Sequence, residues 1–229
     1  MYKIGFLAGM KGVYQTMSGR RLPVFLLLDT SGSMRGEPIQ AVNNGLQVLV
    51  GALRQDPYAL ESVHISLITF DNEASEIFPL TPLDQVQLPV ITAPESAATN
   101  LGAALELLIS RVDRDVIRTT DVRKGDWRPL LFIMTDGSPS DTMAYSEAIP
   151  GIKQRNFGNI IACAAGPKAK IEKLKQLTDN VVFMDTMDSA RLSQFFKWVS
   201  ASVAAGSSSA GVVAPTTLPP PPPEVLVVI

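Results

Sequence analysis

The sequence is poor in the two residues that most often hold transition metals, with one cysteine, Cys163, and one histidine, His64, among 229 residues. A single cysteine cannot form an internal disulfide, which favours a reducing compartment, and we therefore expect a cytoplasmic protein. The absence of a histidine and cysteine cluster argues against a zinc site. We interpret His64 as a structural residue within a strand and Cys163 as an inert buried thiol.

Long hydrophobic runs and an excess of positive charge are also missing. No apolar stretch approaches the roughly 18 residues needed to cross a bilayer, so we expect no membrane span. The formal net charge is −2, which argues against nucleic acid as a partner because nucleic-acid-binding surfaces are strongly basic. Hydrophobic residues make up 46% of the chain and charged residues 18%, as in an ordinary globular protein.

Short apolar runs alternate along the chain with amphipathic stripes. The runs predict strands at 24–28, 63–70, 75–80, 130–135, 159–164 and 181–184. The stripes predict helices at 39–53, 101–112, 142–155 and 168–177, and a last helix that Asp188 caps. The turn at 71–73 is too short for a crossover helix, so the strands on either side should form an antiparallel hairpin at the sheet edge.

This alternation predicts an α/β fold: a Rossmann-like, doubly wound, mostly parallel sheet with one antiparallel edge strand and helices on both faces. We divide the chain into an N-terminal extension (1–20), one folded domain (21–202) and a disordered tail rich in Ala, Ser and Pro (203–229). Residues 1–16 are either an extension upstream of the true start or a short native arm. The proline tract 219–223 is either a solvated tail or a polyproline ligand.

Oxygen-bearing side chains follow the ends of two predicted strands. Asp29 begins the segment Asp-Thr-Ser-Gly-Ser directly after the first strand, and Asp136 follows the fourth. Thr99 lies at the start of a helix between them. Ligand sites in open α/β sheets form at the carboxyl ends of strands, so these segments should meet at one edge.

These residue types suit a hard cation. Carboxylates and neutral hydroxyls are the ligands that Mg²⁺ prefers, and Mg²⁺ usually keeps several waters. The spacing Asp29-x-Ser31-x-Ser33 lets an extended loop turn three side chains to one side. We predict one metal site for Mg²⁺, or else Mn²⁺ or Ca²⁺, with its ligands at Asp29, Ser31, Ser33, Thr99 and Asp136. An incomplete shell would let an acidic residue of another protein complete the coordination.

The same five residues, in this order, resemble the metal-ion-dependent adhesion site of von Willebrand factor A (VWA) domains. The resemblance covers residues 21–200 and implies a non-enzymatic protein-interaction module. A narrower similarity, to bacterial TerY-type proteins of tellurite-resistance and stress-response clusters, rests on the segments 21–34, 126–129 and 135–141. It implies an intracellular module that binds a Ser/Thr kinase or a PP2C-type phosphatase.

Two other functions stay open at this point. A strand-end aspartate beside Mg²⁺ could attack phosphate, as in a phosphatase or phosphotransferase, although Ser31 stands where such enzymes usually carry a second carboxylate. The second alternative is a substrate-recruiting partner of an AAA+ ATPase, which other VWA proteins resemble. Single residues also have simpler interpretations: Asp29 and Thr99 as helix caps, Asp71 as a turn residue, and Asp141 as a cap or as support for the metal ligands.

Overall fold

A computed structural model of the chain describes residues 20–166, 169–208, 219–223 and 226–228. Within these residues, seven strands form one sheet: β1 (Leu22–Asp29), β2 (Val63–Phe70), β3 (Ala74–Pro82), β4 (Leu130–Thr135), β5 (Asn159–Ala165), β6 (Val181–Met184) and β7 (Leu226–Val228). Their order is β3-β2-β1-β4-β5-β6-β7. The pairs among β1, β2, β4, β5 and β6 are parallel, and β3 pairs antiparallel with β2 at one edge. The predicted α/β fold and edge hairpin are confirmed.

Helices cover both faces of the sheet: α1 (Glu37–Leu53), α2 (Pro57–Ser62), α3 (Leu101–Asp115), α4 (Thr142–Gln154), α5 (Ile171–Lys175) and α6 (Ser189–Ser208). In β1, Leu26 and Leu28 pack with α1 and α6, while Phe25 and Leu27 pack with α3 and α4. Every residue of β1 is buried, which explains its continuous apolar run. Within the described residues, no helix is long and apolar enough to cross a membrane.

The C-terminal segment differs in part from the predicted disordered tail. Helix α6 continues to Ser208, beyond the predicted domain boundary at 202, and β7 adds an antiparallel strand to β6. Composition indicated disorder because alanine, serine and proline carry no periodic signal, whereas the strand pairing is a contact between distant parts of the chain. The N-terminal extension lies outside the described residues except for Arg20.

The loop between β3 and α3 (residues 83–100) is held along α1 by two polar side chains. Arg54 donates from Nε to the Leu83 carbonyl at 3.1 Å and from Nη2 to the Val86 carbonyl at 2.6 Å. Asn43 donates to the Ile91 carbonyl at 2.8 Å and accepts from the Ile91 amide at 2.9 Å. These bonds satisfy backbone groups that would otherwise lack partners, so an irregular, proline-containing loop has a defined path.

Two glycines of α1 provide a matched test of its packing against α6. A β-carbon on Gly45 would lie 2.1 Å from the Phe196 ring, whereas one on Gly51 would meet nothing within 4 Å. We expect Gly45→Ala to lower the free energy of unfolding by about 1–3 kcal/mol through overpacking. Gly51→Ala should raise it by up to about 1 kcal/mol because alanine favours helix. Urea unfolding measures both, and equal effects would contradict the proposed close packing.

Candidate metal site

Asp29 is the deepest member of the site, at the last position of β1. Its side chain is fully buried, and β1 lies between β2 and β4 in the centre of the sheet. The carboxylate accepts from the Ser31 amide at 2.7 Å through Oδ1 and from the Thr135 hydroxyl at 2.5 Å through Oδ2. These bonds join the ends of the two central strands and leave lone pairs on both oxygens for another ligand.

Burial raises the pKa of Asp29 from 3.8 to about 6, because removal from water disfavours the charged form. Hydrogen bonds from Ser31 and Thr135 oppose this rise, and the nearby negative charge of Asp136 adds to it. A positive charge beside Asp29 would oppose both the desolvation and the repulsion from Asp136. A carboxylate with this surplus of negative charge is therefore well suited to hold a cation.

Two serine hydroxyls connect Asp29 with Asp136. A short 3₁₀ turn (Gly32–Met34) follows Ser31 and brings its hydroxyl oxygen to 3.3 Å from that of Ser33. The Ser33 hydroxyl in turn donates to Oδ1 of Asp136 at 2.9 Å. Ser31 is buried and Ser33 is exposed, so the row of oxygens runs from the sheet interior to the surface.

Thr99 reaches the same place from the 83–100 loop. A β-carbon on Gly137 would lie 3.2 Å from the Thr99 hydroxyl oxygen, which puts that hydroxyl beside the loop that carries Asp136. The Gly32 amide also donates to the Ala97 carbonyl at 3.3 Å, and a β-carbon on Gly32 would come within 3.1 Å of the Ala97 nitrogen. The three segments chosen from the sequence are thus adjacent in the fold.

The oxygen spacings fit a small divalent ion. Mg²⁺ binds oxygens at about 2.0–2.1 Å in octahedral geometry, so neighbouring ligands stand roughly 2.9 Å apart. The distance between Ser33 Oγ and Asp136 Oδ1 is 2.9 Å, and that between the two serine oxygens is 3.3 Å. Among the described residues no group of three or more His, Cys, Asp or Glu side chains is placed to hold a metal. The donor set here is instead two carboxylates with three hydroxyls.

Asp141 holds the start of α3, the helix that follows Thr99. Sequence analysis left two roles open for Asp141, as a cap of the following helix or as support for the metal ligands, and its side chain makes no capping bond to α4. It accepts instead from the Gly102 amide at 3.0 Å and from the Ala103 amide at 2.8 Å, and so caps the start of α3. A capping residue is usually recognised in a sequence because it lies just before the helix that it caps. Asp141 lies about forty residues after the start of α3, so the sequence does not show that it caps this helix.

Ser140, which sequence analysis did not single out, holds the backbone of Thr99. Its hydroxyl accepts from the Thr99 amide at 3.1 Å, and its own amide donates to the Thr99 carbonyl at 2.8 Å. Neither Asp29 nor Thr99 acts as a helix cap: Asp29 lies inside a strand end, and Asn100 occupies the cap position of α3. The helix-cap interpretation of these two residues is therefore wrong.

Four other residues with functional side chains have structural roles in the fold. Asp71 shapes the β2–β3 turn and accepts from the Thr30 hydroxyl at 3.2 Å. His64 lies near the amino end of β2, opposite the candidate site, and burial lowers its pKa. Cys163 is fully buried in β5, and burial raises the pKa of its thiol well above the ordinary value. Trp127 packs on the core, with the Arg20 guanidinium 3.6 Å from its ring centroid.

The raised pKa of Asp29 predicts how the metal-free protein responds to pH. The folded state binds the proton more tightly than the unfolded state, so this stabilisation is present below pH 3.8 and is lost as pH rises through about 6. Relative to Asp29→Asn in EDTA, the wild-type free energy of unfolding should fall by about 2 kcal/mol between pH 4 and pH 7. Urea titrations across that range measure it, and parallel curves for the two proteins would contradict it.

Comparison with solved structures identifies the same fold in other proteins. Proximal thread matrix protein 1 from the mussel byssus, solved with a zinc-occupied MIDAS motif, aligns with a TM-score of 0.58 and 17% identity, over 79% of this chain and 45% of that one. A von Willebrand factor type A protein from Catenulispora acidiphila gives 0.61 and 15% identity, over 81% and 43%. BatB from Bacteroides thetaiotaomicron gives 0.53 and 14%, over 81% and 99%.

This chain spans less than half the length of the mussel and Catenulispora chains. No curated protein matches its sequence. The von Willebrand factor type A domain family matches residues 24–198, well over half of the chain and all five residues of the candidate site. The chain therefore belongs to the von Willebrand factor type A domain family.

Proposed function

We propose that this domain binds another protein through a divalent metal ion held by Asp29, Ser31, Ser33, Thr99 and Asp136. One observation carries the proposal: oxygens from three segments distant in sequence converge at the carboxyl ends of β1 and β4. VWA domains mediate protein binding and are usually non-catalytic. The site is exposed at Ser33, so an external ligand can reach it.

The five residues have different tasks in this proposal. Asp29 supplies negative charge from the interior and is held in place by Ser31 and Thr135. Ser31, Ser33 and Thr99 supply neutral oxygens, which add no negative charge to that of the two carboxylates. A carboxylate from the partner would then complete the coordination, since Mg²⁺ favours a full octahedral set of oxygens.

We propose Mg²⁺ as the physiological ion, with Mn²⁺ or Ca²⁺ as substitutes. The all-oxygen donor set and the 2.9 Å spacing support this choice, because zinc sites are usually built from cysteine and histidine. The mussel protein was solved with zinc in its MIDAS motif, so related sites accept that ion too. Asp29 must lose its proton for binding, and its pKa of about 6 leaves it mostly ionised at pH 7.

We further propose that the domain works inside the bacterial cell in a tellurite-resistance or stress-response system, with a Ser/Thr kinase or a PP2C-type phosphatase as partner. The support is the similarity of segments 21–34, 126–129 and 135–141 to TerY-type proteins. Two of these segments also carry residues of the proposed metal site. The first carries Asp29, Ser31 and Ser33, and the last carries Asp136 with the residues that hold Thr99.

Removal of either carboxylate tests the metal site. Asp29→Ala and Asp136→Ala should each weaken Mg²⁺ binding more than the roughly 10–100-fold that loss of an outer supporting group costs. Isothermal titration calorimetry measures the affinity, and circular dichroism verifies that each variant folds. Asp121→Ala, an exposed carboxylate in the loop before β4, is the matched control and should bind as the wild type does. Wild-type affinity in both site variants would refute the proposal.

Association with the partner should depend on the ion. Immobilised wild-type protein should retain a purified candidate kinase or phosphatase with Mg²⁺ and release it with EDTA, and Asp136→Ala should retain none. Association that is indifferent to EDTA would contradict a metal bridge. A parallel assay with a generic phosphate ester separates the enzyme alternative: Mg²⁺-dependent turnover that Asp29→Asn abolishes would favour a phosphatase.

A further inference from the structure

The proline tract contacts the aromatic surface of α6. The indole nitrogen of Trp198 donates to the Pro219 carbonyl at 2.8 Å. The Trp198 ring also packs beside Phe195, with centroids 6.1 Å apart. Proline-rich segments have backbone carbonyls without internal partners, and aromatic grooves are their usual receptors. Pro219, the first described residue of the tract, therefore makes a hydrogen bond of the kind that aromatic grooves make with polyproline ligands.

The residues after the proline tract complete an edge of the sheet. β6 pairs with β5 on one side and, antiparallel, with β7 on the other, with Val181 opposite Val228 and Phe183 opposite Leu226. Both faces of β6 are already covered, because Val182 belongs to the core under α1 and α6 and Val181 to the core under α3 and α4. Only the backbone edge of β6 remains for another segment, and edges of this kind accept added strands.

These two contacts are made by one short stretch of chain. We call residues 219–223 and 226–228 the C-terminal strap. The strap contacts Trp198, in the middle of α6, at its first residue and pairs with β6 at its last three residues, so one short segment reaches both a helix face and a sheet edge. The contact with α6 favours a proline-rich backbone, and the contact with β6 favours an extended strand. A ligand that makes both contacts must contain both features, so the two contacts together are more selective than either one alone.

We propose that Trp198 and the edge of β6 form one continuous binding site for a proline-rich segment followed by a short apolar strand. In the intact chain the C-terminal strap fills this site. A tethered segment acts at an effective concentration in the millimolar range, so an external segment of the same chemistry binds the intact chain only weakly. Release of the strap exposes a second docking surface, formed by α6 and β6 and separate from the five residues of the proposed metal site.

A single substitution in the full-length chain tests the site. Val227→Pro removes a backbone N–H and restricts the strand, so it should release β7 while leaving Trp198 and β6 unchanged. The probe is a fluorescent synthetic peptide with the sequence of residues 217–229. Fluorescence anisotropy should show that Val227→Pro binds this peptide at least about tenfold more tightly than the wild type, because β7 no longer competes for the edge of β6. The control probe is the same peptide carrying Val227→Pro, which should not bind.

A second variant separates the helix contact from the edge contact. Adding Trp198→Phe to Val227→Pro keeps an aromatic ring but removes the indole donor, so peptide affinity should fall about three- to tenfold, as for one lost hydrogen bond. Hydrogen exchange provides an independent measurement: the amides of Val181–Met184 should exchange faster in Val227→Pro and become protected again when peptide is added. Equal peptide binding by wild type and Val227→Pro, or no binding by either, would overturn the proposal.

Discussion

The site depends on a buried carboxylate at the end of the central strand. Asp29 is fully buried, and such a group is tolerated only where hydrogen bonds and charge compensate its loss of water. The Ser31 amide and the Thr135 hydroxyl supply part of that compensation. They also fix where β1 and β4 end relative to each other. The position of every other oxygen in the site follows from this junction, because the loops that carry them start there or pack against it.

The loop that carries Thr99 is fixed by polar bonds at both ends. Arg54 and Asn43 hold its earlier part along α1. Ser140 makes two hydrogen bonds to the backbone of Thr99, one through its hydroxyl and one through its amide. Asp141 then caps α3, which begins just after Thr99. A hydroxyl is a weak metal ligand unless its position is set in advance, since ordering a loop costs free energy. In this domain the loop is already ordered by folding, so little of that free energy opposes metal binding.

Sequence patterns predicted the strands of the central sheet well, because runs such as Leu26–Leu28 can only be satisfied between two helix layers. The convergence of Asp29, Ser33 and Asp136 was also predictable, since parallel strands end at a common edge. The capping of α3 by Asp141 and the pairing of β7 with β6 were not. Both connect segments far apart in the chain, and neither leaves a periodic or compositional signal near the residues involved.

The environment of Cys163 has a practical consequence. Its thiol is fully buried in β5 and its pKa is raised, so it stays protonated and out of reach of solvent at neutral pH. Thiol-directed reagents act on exposed thiolates, and the native chain offers no other sulfhydryl. A cysteine engineered at a chosen surface position would therefore be the sole reactive thiol of the folded protein. Spin labels or fluorophores could be attached there without first replacing the natural residue.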